Sequence, residues 1–200
     1  MIRRLAAIQF ERFMTSGRTS PALCGCEDQS GAMVGEYVVK LRGAIGESGL
    51  LNELFTARLA RHFGLASPEP AVIAIDQALV DLVANTQTSQ AARIRDSVGL
   101  NFGTKALSGV STWPVDKFIP DAMWQAAVDI FAFDALVQNP DRRFTNPNLF
   151  TRGGQFVGLR SRDGVFLPGG SVPVRDAMEA GRSAVPDRPR LLQKTQIETD

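Results

Sequence analysis

Apolar and polar positions along the chain predict strands and a helix in its first half. A β-forming run, GEYVVK, occupies residues 35–40 and predicts a strand. Leucine and phenylalanine recur at helical spacing through residues 49–65, and Gly64 is a plausible stop for that helix. The PEP segment that follows favours extended backbone, so residues 71–76 are predicted to form a strand. Residues 99–107, GLNFGTKAL, predict a further strand.

The second half of the chain contains a stronger helical pattern. Residues 76–98 favour a helix that weakens near its threonines. Residues 121–139 predict a long apolar helix, with Asp121 as its N-terminal cap and Pro140 as its end. The sequence around Gly153–Gly154 is typical of a hairpin turn. The order of elements indicates an α+β fold with two lobes, a small mixed sheet with one packed helix and then a helical half.

Composition changes this picture little. The chain has 200 residues, 44% of them hydrophobic, which is enough for a real core. Its net charge of +1 gives no argument for direct nucleic-acid binding or for an anionic membrane surface. Cys24, Cys26 and the single histidine, His62, do not have the spacing of a zinc site. Sparse cysteine, and no apolar run typical of a signal peptide or membrane span, lead us to expect a cytoplasmic protein.

Four polar residues follow one another in an order that suggests phosphoryl transfer. Lys40 ends the first predicted strand, Glu53 lies early in the next helix, and Asp141 and Asn146 follow the long helix. Such a site needs a lysine for the phosphates, a glutamate to hold it, an aspartate as base and an asparagine for magnesium. Taken singly, the first two also fit solvated positions and the last two fit turn residues.

The sequence resembles the HipA-like kinases, bacterial relatives of the protein-kinase fold from toxin–antitoxin systems. The matching stretches are GEYVVKLRG, LLNELFTARLARHFGLASPEPAVIAID and FDALVQNPDRRFTNPNLF, within residues 15–158. The resemblance implies that Lys40 contacts ATP phosphates, Glu53 pairs with that lysine, Asp141 is the general base and Asn146 binds Mg²⁺. It further implies a kinase-like fold with a small mixed α/β N-lobe and a truncated, mainly helical C-lobe.

The resemblance divides the chain into three parts. Residues 1–107 would form the N-lobe, with the strand at 99–107 leading to an adenine hinge, and residues 108–158 would begin the C-lobe. Residues 159–200, rich in proline and charge, are expected to be an atypical and poorly ordered tail.

Two residues near the candidate base have predicted partners. Asp134 lies in an apolar stretch of the long helix and needs a partner if it is buried. We expect it to bond to the backbone of the loop that follows the helix. Arg142 is expected to pair within that loop.

The family pattern changes after the loop. A second metal-binding aspartate is expected on a strand, in a segment such as F-D-H-E-x-A-F, but the chain reads GLRSRDGVFLPGG. Asp163 is the nearest carboxylate, and Arg160 stands where the aspartate is expected. With synonymous codons chosen for the purpose, residues 159–167 back-translate to DNA whose shifted frame encodes F-D-H-E-M-A-F-S. We therefore hypothesise a one-base frameshift near Gly158.

Three functions remain open at this point. The first is a kinase that transfers the ATP γ-phosphoryl to a protein Ser or Thr hydroxyl. The second is a catalytically inactive nucleotide-binding or regulatory module without the second metal carboxylate. The third is a phosphotransferase acting on a small molecule. A small DNA-binding antitoxin is the partner that the resemblance implies.

Overall fold

The computed structural model describes residues 2–15, 19–139, 142 and 147–159, which form a mixed α/β structure. Of the tail expected at residues 159–200, only Leu159 is described, and the rest lies outside this part of the chain, as does the sequence change that the frameshift hypothesis concerns.

Five strands close into a barrel. They are β1 (Arg3–Phe13), β2 (Ala22–Glu27), β3 (Met33–Lys40), β4 (Pro70–Ile75) and β5 (Gly99–Lys105). The strand order is β1-β2-β3-β5-β4, and β4 returns to pair with β1 in parallel. The other pairings in the barrel are antiparallel. Closure leaves none of these five strands as an open sheet edge.

The strands expected at residues 35–40, 71–76 and 99–107 are confirmed as β3, β4 and β5. The sequence patterns did not predict β1 or β2. In β1, register shifts after Ala7 and after Phe10 break the two-residue alternation that identifies a strand. In β2, the sequence ALCGCE is buried along nearly its whole length and contains few β-forming residues.

Apolar side chains of all the strands except β5 fill the barrel, and two helices extend the same core. These helices are α2 (Gln77–Thr86) and α3 (Thr88–Arg95). The interior strand residues are Leu5, Ala7, Phe10, Ala22, Cys24, Cys26, Tyr37, Val39, Ala71, Ile73 and Ile75. On β5, Gly103 allows close approach, because a Cβ there would lie 2.6 Å from Cγ1 of Ile73. The single helix expected at 76–98 is therefore two helices, which meet at Gln87.

Helix α1 (Arg42–His62) connects β3 to β4 and lies against β3, β4 and β5. It begins well before the expected start at residue 49, with a break at Gly46, where φ is 70°. Its buried residues are Glu53 and Ala60, whereas the aromatic side chains of Phe55 and Phe63 are exposed. The apolar periodicity thus predicted the helix but not the face that packs on the barrel.

The long helix α4 spans Asp121–Leu136. Two details of the expectation are wrong. Pro120, not Asp121, occupies the N-cap position, and Asp121 lies in the first turn, where its charge favours the helix dipole. The helix ends at Leu136 rather than at Pro140, and Gln138 adopts a φ of 51°, which no helix continues through.

A second sheet, of three strands, packs against α4. It has the order β6 (Ser111–Thr112), β7 (Leu149–Arg152) and β8 (Gln155–Leu159), with antiparallel pairing. The expected hairpin at Gly153–Gly154 is confirmed, with φ values of 55° and 76° at the two glycines. Trp113, Met123, Ile130, Leu149 and Phe156 pack together between the helix and this sheet.

Candidate functional site

Lys40 stands at the end of β3 on the outer face of the barrel. Tyr37 and Val39 belong to the barrel core, so the alternate residues Val38 and Lys40 point to the opposite face. Lys40 is in register with Phe102 of β5. Residues directly opposite in an antiparallel pair share a face, so the buried Phe102 side chain provides an apolar neighbour for the lysine.

Glu53 of α1 forms an ion pair with Lys40. The Nζ of Lys40 donates to the Oε1 of Glu53, and the two side chains are only 13% and 6% exposed. A carboxylate and an ammonium this deeply buried need each other, because either charge alone would be poorly solvated. The pairing expected from the resemblance is therefore confirmed, while the role of these residues in ATP binding stays a prediction.

The end of α1 packs on α4. Ala60 is buried two turns beyond Glu53 and forms a small apolar cluster with Phe133 and Val137 at the end of α4. The helix that carries Glu53 is therefore held by α4 at one end, while it also lies against β3, β4 and β5.

Side chains in β5 and just before it bond to the first backbone amides of α1, directly after Lys40 in the chain. The Oδ1 of Asn101 accepts from the backbone N–H of Arg42 at 2.7 Å, and the Oγ of Ser97 accepts from that of Gly43 at 3.2 Å. Asn101 also donates to the carbonyl of Ser97 at 2.8 Å. The first amides of a helix have no partner within it, so these distant side chains take the place of a local cap. Sequence reasoning missed both, and the only signal was an asparagine inside a predicted strand.

A second polar cluster joins the end of α4 to β7. The guanidinium of Arg142 forms an ion pair with the carboxylate of Asp134, through Nε to Oδ2. Its Nη1 donates to the carbonyls of Pro147 and Asn148, each at 2.8 Å. Asn139 donates from Nδ2 to Oδ1 of Asp134 at 2.8 Å. The expectation for Asp134 was thus wrong in detail, because it bonds to the Arg142 side chain, which in turn holds the loop backbone.

Three predicted site residues, Asp141, Asn146 and Asp163, lie outside the described residues. Of the predicted set, Lys40 and Glu53 lie within the described residues, and the structure brings these two together. Within the described ranges, no group of three or more His, Cys, Asp or Glu side chains could hold a metal ion.

The two cysteines are core residues. Both are fully buried, and burial raises the pKa of each thiol to about 12, with the neighbouring Cys26 adding to the effect at Cys24. Thiols held protonated in this way are poor nucleophiles, so neither cysteine is a candidate for chemistry at the site.

Comparison with known families agrees with this arrangement. The model of the HipA-like kinase family matches residues 7–155. The chain therefore belongs to the HipA-like kinase family, and its function is of the kinase type. No curated protein and no solved structure was found to match it. Among the helices of the described residues, none has the length and apolar character required to cross a membrane.

Proposed function

We propose that this protein is an ATP-dependent kinase that transfers the γ-phosphoryl group to a Ser or Thr hydroxyl of a protein. The observation that carries the proposal is the buried Lys40–Glu53 ion pair, which joins a barrel strand to the adjacent helix. In phosphoryl transfer, a lysine held in place by a helix glutamate steadies the nucleotide phosphates.

The pair suits this task because of its setting. Glu53 holds the Lys40 ammonium in one position, so little reorganisation is needed when phosphates approach. The apolar side chain of Phe102, opposite Lys40 on the same face, keeps the local dielectric low and strengthens attraction to an anion. Together these features favour a preorganised phosphate contact at the end of β3.

The proposed chemistry uses the loop that follows α4. The acceptor hydroxyl oxygen bonds to the γ-phosphorus as the bond to the bridging β–γ oxygen breaks, and ADP leaves. Asp141 takes the proton of that hydroxyl. Asn146 and Asp163 are the residues proposed to hold Mg²⁺, which neutralises charge on the phosphates when bound.

The kinase would have two lobes and would act together with a partner protein in the cell. Residues 1–107 would be the N-lobe and residues 108–158 the start of a truncated, mainly helical C-lobe. The setting would be the bacterial cytoplasm, with a small DNA-binding antitoxin as partner.

One observation favours a second candidate, a catalytically inactive nucleotide-binding or regulatory module. Arg160 occupies the sequence position expected for the second metal carboxylate, and a cation there would repel Mg²⁺. A third candidate, transfer to a small molecule, differs from the first only in the acceptor.

Isothermal titration calorimetry with ATP in the presence of Mg²⁺ tests the nucleotide site. We expect Lys40→Met to weaken binding by roughly 10-fold or more, because a desolvated charge contact to phosphate is lost. Lys105→Met is the matched control, since Lys105 also ends a barrel strand but is exposed. Wild-type protein that does not bind ATP, or equal affinities of the two variants, would contradict the proposal. Binding without transfer to protein or small-molecule hydroxyls would favour the inactive module.

A further inference from the structure

Arg142 links two other segments of the chain through one side chain. Its guanidinium bonds to the Asp134 carboxylate on α4 and to the carbonyls of Pro147 and Asn148 at the start of β7. The Arg142 and Asp134 side chains are 13% and 11% exposed, so solvent competes little for these bonds. The side-chain amide of Asn139 donates to Oδ1 of the Asp134 carboxylate at 2.8 Å, and its backbone N–H donates to the Asp134 backbone carbonyl at 2.9 Å.

The backbone at the far end of this bridge forms a left-handed turn. Asn148 is buried and has a φ of 49°, in the left-handed region, which asparagine adopts more readily than most non-glycine residues. Its carbonyl is one of the two acceptors for Nη1 of Arg142. The bridge thus ties this buried turn to α4 through Asp134.

The bridge ends next to both predicted catalytic-loop residues in the covalent chain. Arg142 directly follows Asp141, and Pro147 directly follows Asn146. A bond from the Arg142 side chain to the Pro147 carbonyl therefore ties together the two positions that directly follow Asp141 and Asn146 in the chain.

We propose that Arg142 is a positioning residue for phosphoryl transfer: by bridging Asp134 to the carbonyls of Pro147 and Asn148, it holds in place the chain positions that directly follow the proposed catalytic residues Asp141 and Asn146. This inference rests on the proposed function. Only a guanidinium suits the task, because its planar set of donors reaches one carboxylate and two carbonyls at once. A lysine at position 142 would keep a positive charge opposite Asp134, but it would lack the planar set of donors that reaches the two carbonyls.

The first test compares Arg142→Lys with Arg152→Lys, an exposed arginine on β7. Turnover is followed by ADP release with ATP and a mixture of Ser and Thr peptides. Arg142→Lys should lower kcat by roughly 10- to 100-fold, because small misplacement of catalytic groups has effects of that size. The KM for ATP should stay within about 2-fold, since the Lys40–Glu53 pair is untouched. Wild-type kcat in Arg142→Lys, or a rise in KM as large as the fall in kcat, would overturn the proposal.

A second measurement does not depend on activity. Amide hydrogen exchange of peptides covering residues 137–150 should be at least several-fold faster in Arg142→Lys, with exchange in the barrel strands unchanged. Arg152→Lys should match the wild type in this segment. If the wild type transfers no phosphate, the proposed function fails and this measurement still tests the bridge. Unchanged exchange in Arg142→Lys would overturn the positioning role.

Discussion

Replacing Glu53 with alanine should destabilise the protein strongly. The variant leaves the Lys40 ammonium without its carboxylate in a position where its side chain is only 13% exposed. Breaking a buried ion pair on one side typically costs about 3–5 kcal/mol, because the remaining charge loses that partner where solvent reaches it poorly. The range of about 0.2–1 kcal/mol for surface pairs does not apply here, since solvent screening is slight.

The same helix offers a matched control. Glu47 pairs with Arg42, but their side chains are 72% and 43% exposed. Glu47→Ala should therefore change the free energy of unfolding by no more than about 1 kcal/mol. Urea unfolding followed by far-UV circular dichroism measures both variants on the same scale.

A double variant separates stability from function. Lys40→Met combined with Glu53→Leu removes both charges and fills similar volume, so stability should return to within about 1–2 kcal/mol of the wild type. ATP binding should remain as weak as in Lys40→Met, because the phosphate contact is gone. A Glu53→Ala variant as stable as Glu47→Ala would refute the reasoning, since it would mean that the pair is solvated.

Four further predictions concern the core and the gene. Gly103→Ala should lower stability by about 1–3 kcal/mol in thermal or urea unfolding, because its Cβ would lie 2.6 Å from Cγ1 of Ile73, and a neutral result would contradict the close approach. Cys24 and Cys26 should resist iodoacetamide at neutral pH until the protein unfolds. The pKa of each thiol is about 12 in the folded state, above the ordinary 9.0, so the folded state keeps thiol protons that the unfolded state loses. The free energy of unfolding should therefore fall as pH rises from 9 to 12, and an increase over this range would contradict the prediction. The gene sequence around codon 160 should encode F-D-H-E-M-A-F-S in the shifted frame, and an immediate stop there would end the frameshift hypothesis.

Local patterns predicted the elements that carry the ion pair. The β-forming run before Lys40 and the helical spacing around Glu53 are each visible within a few residues, and the structure confirms both elements and their contact. The packing of α1 was harder to predict from the sequence, because its apolar stripe includes Phe55, which is 61% exposed, whereas Glu53 is buried. Hydrophobic periodicity predicts a helix, but it does not predict which face is buried when that face carries a charged residue such as Glu53.

Long-range contacts and irregular strands account for the rest. Asn101 caps α1 from a strand 59 positions away along the chain, and no local sequence pattern predicts such a bond. The register shifts in β1 hide its alternation. Arg142 was expected to act within its loop, whereas it also reaches back to Asp134, because a buried carboxylate on α4 requires a charged partner.

Phosphate transfer from radiolabelled ATP, in the presence of Mg²⁺, tests the central claim most directly. Wild-type protein should label either itself or a mixture of Ser and Thr peptides, and Asp141→Ala should reduce this labelling by roughly 100-fold or more, as expected when a general base is lost. Asp129→Ala, at an exposed position on α4, should label like the wild type. Equal labelling by Asp141→Ala and wild type, or no labelling by wild type, would contradict the account.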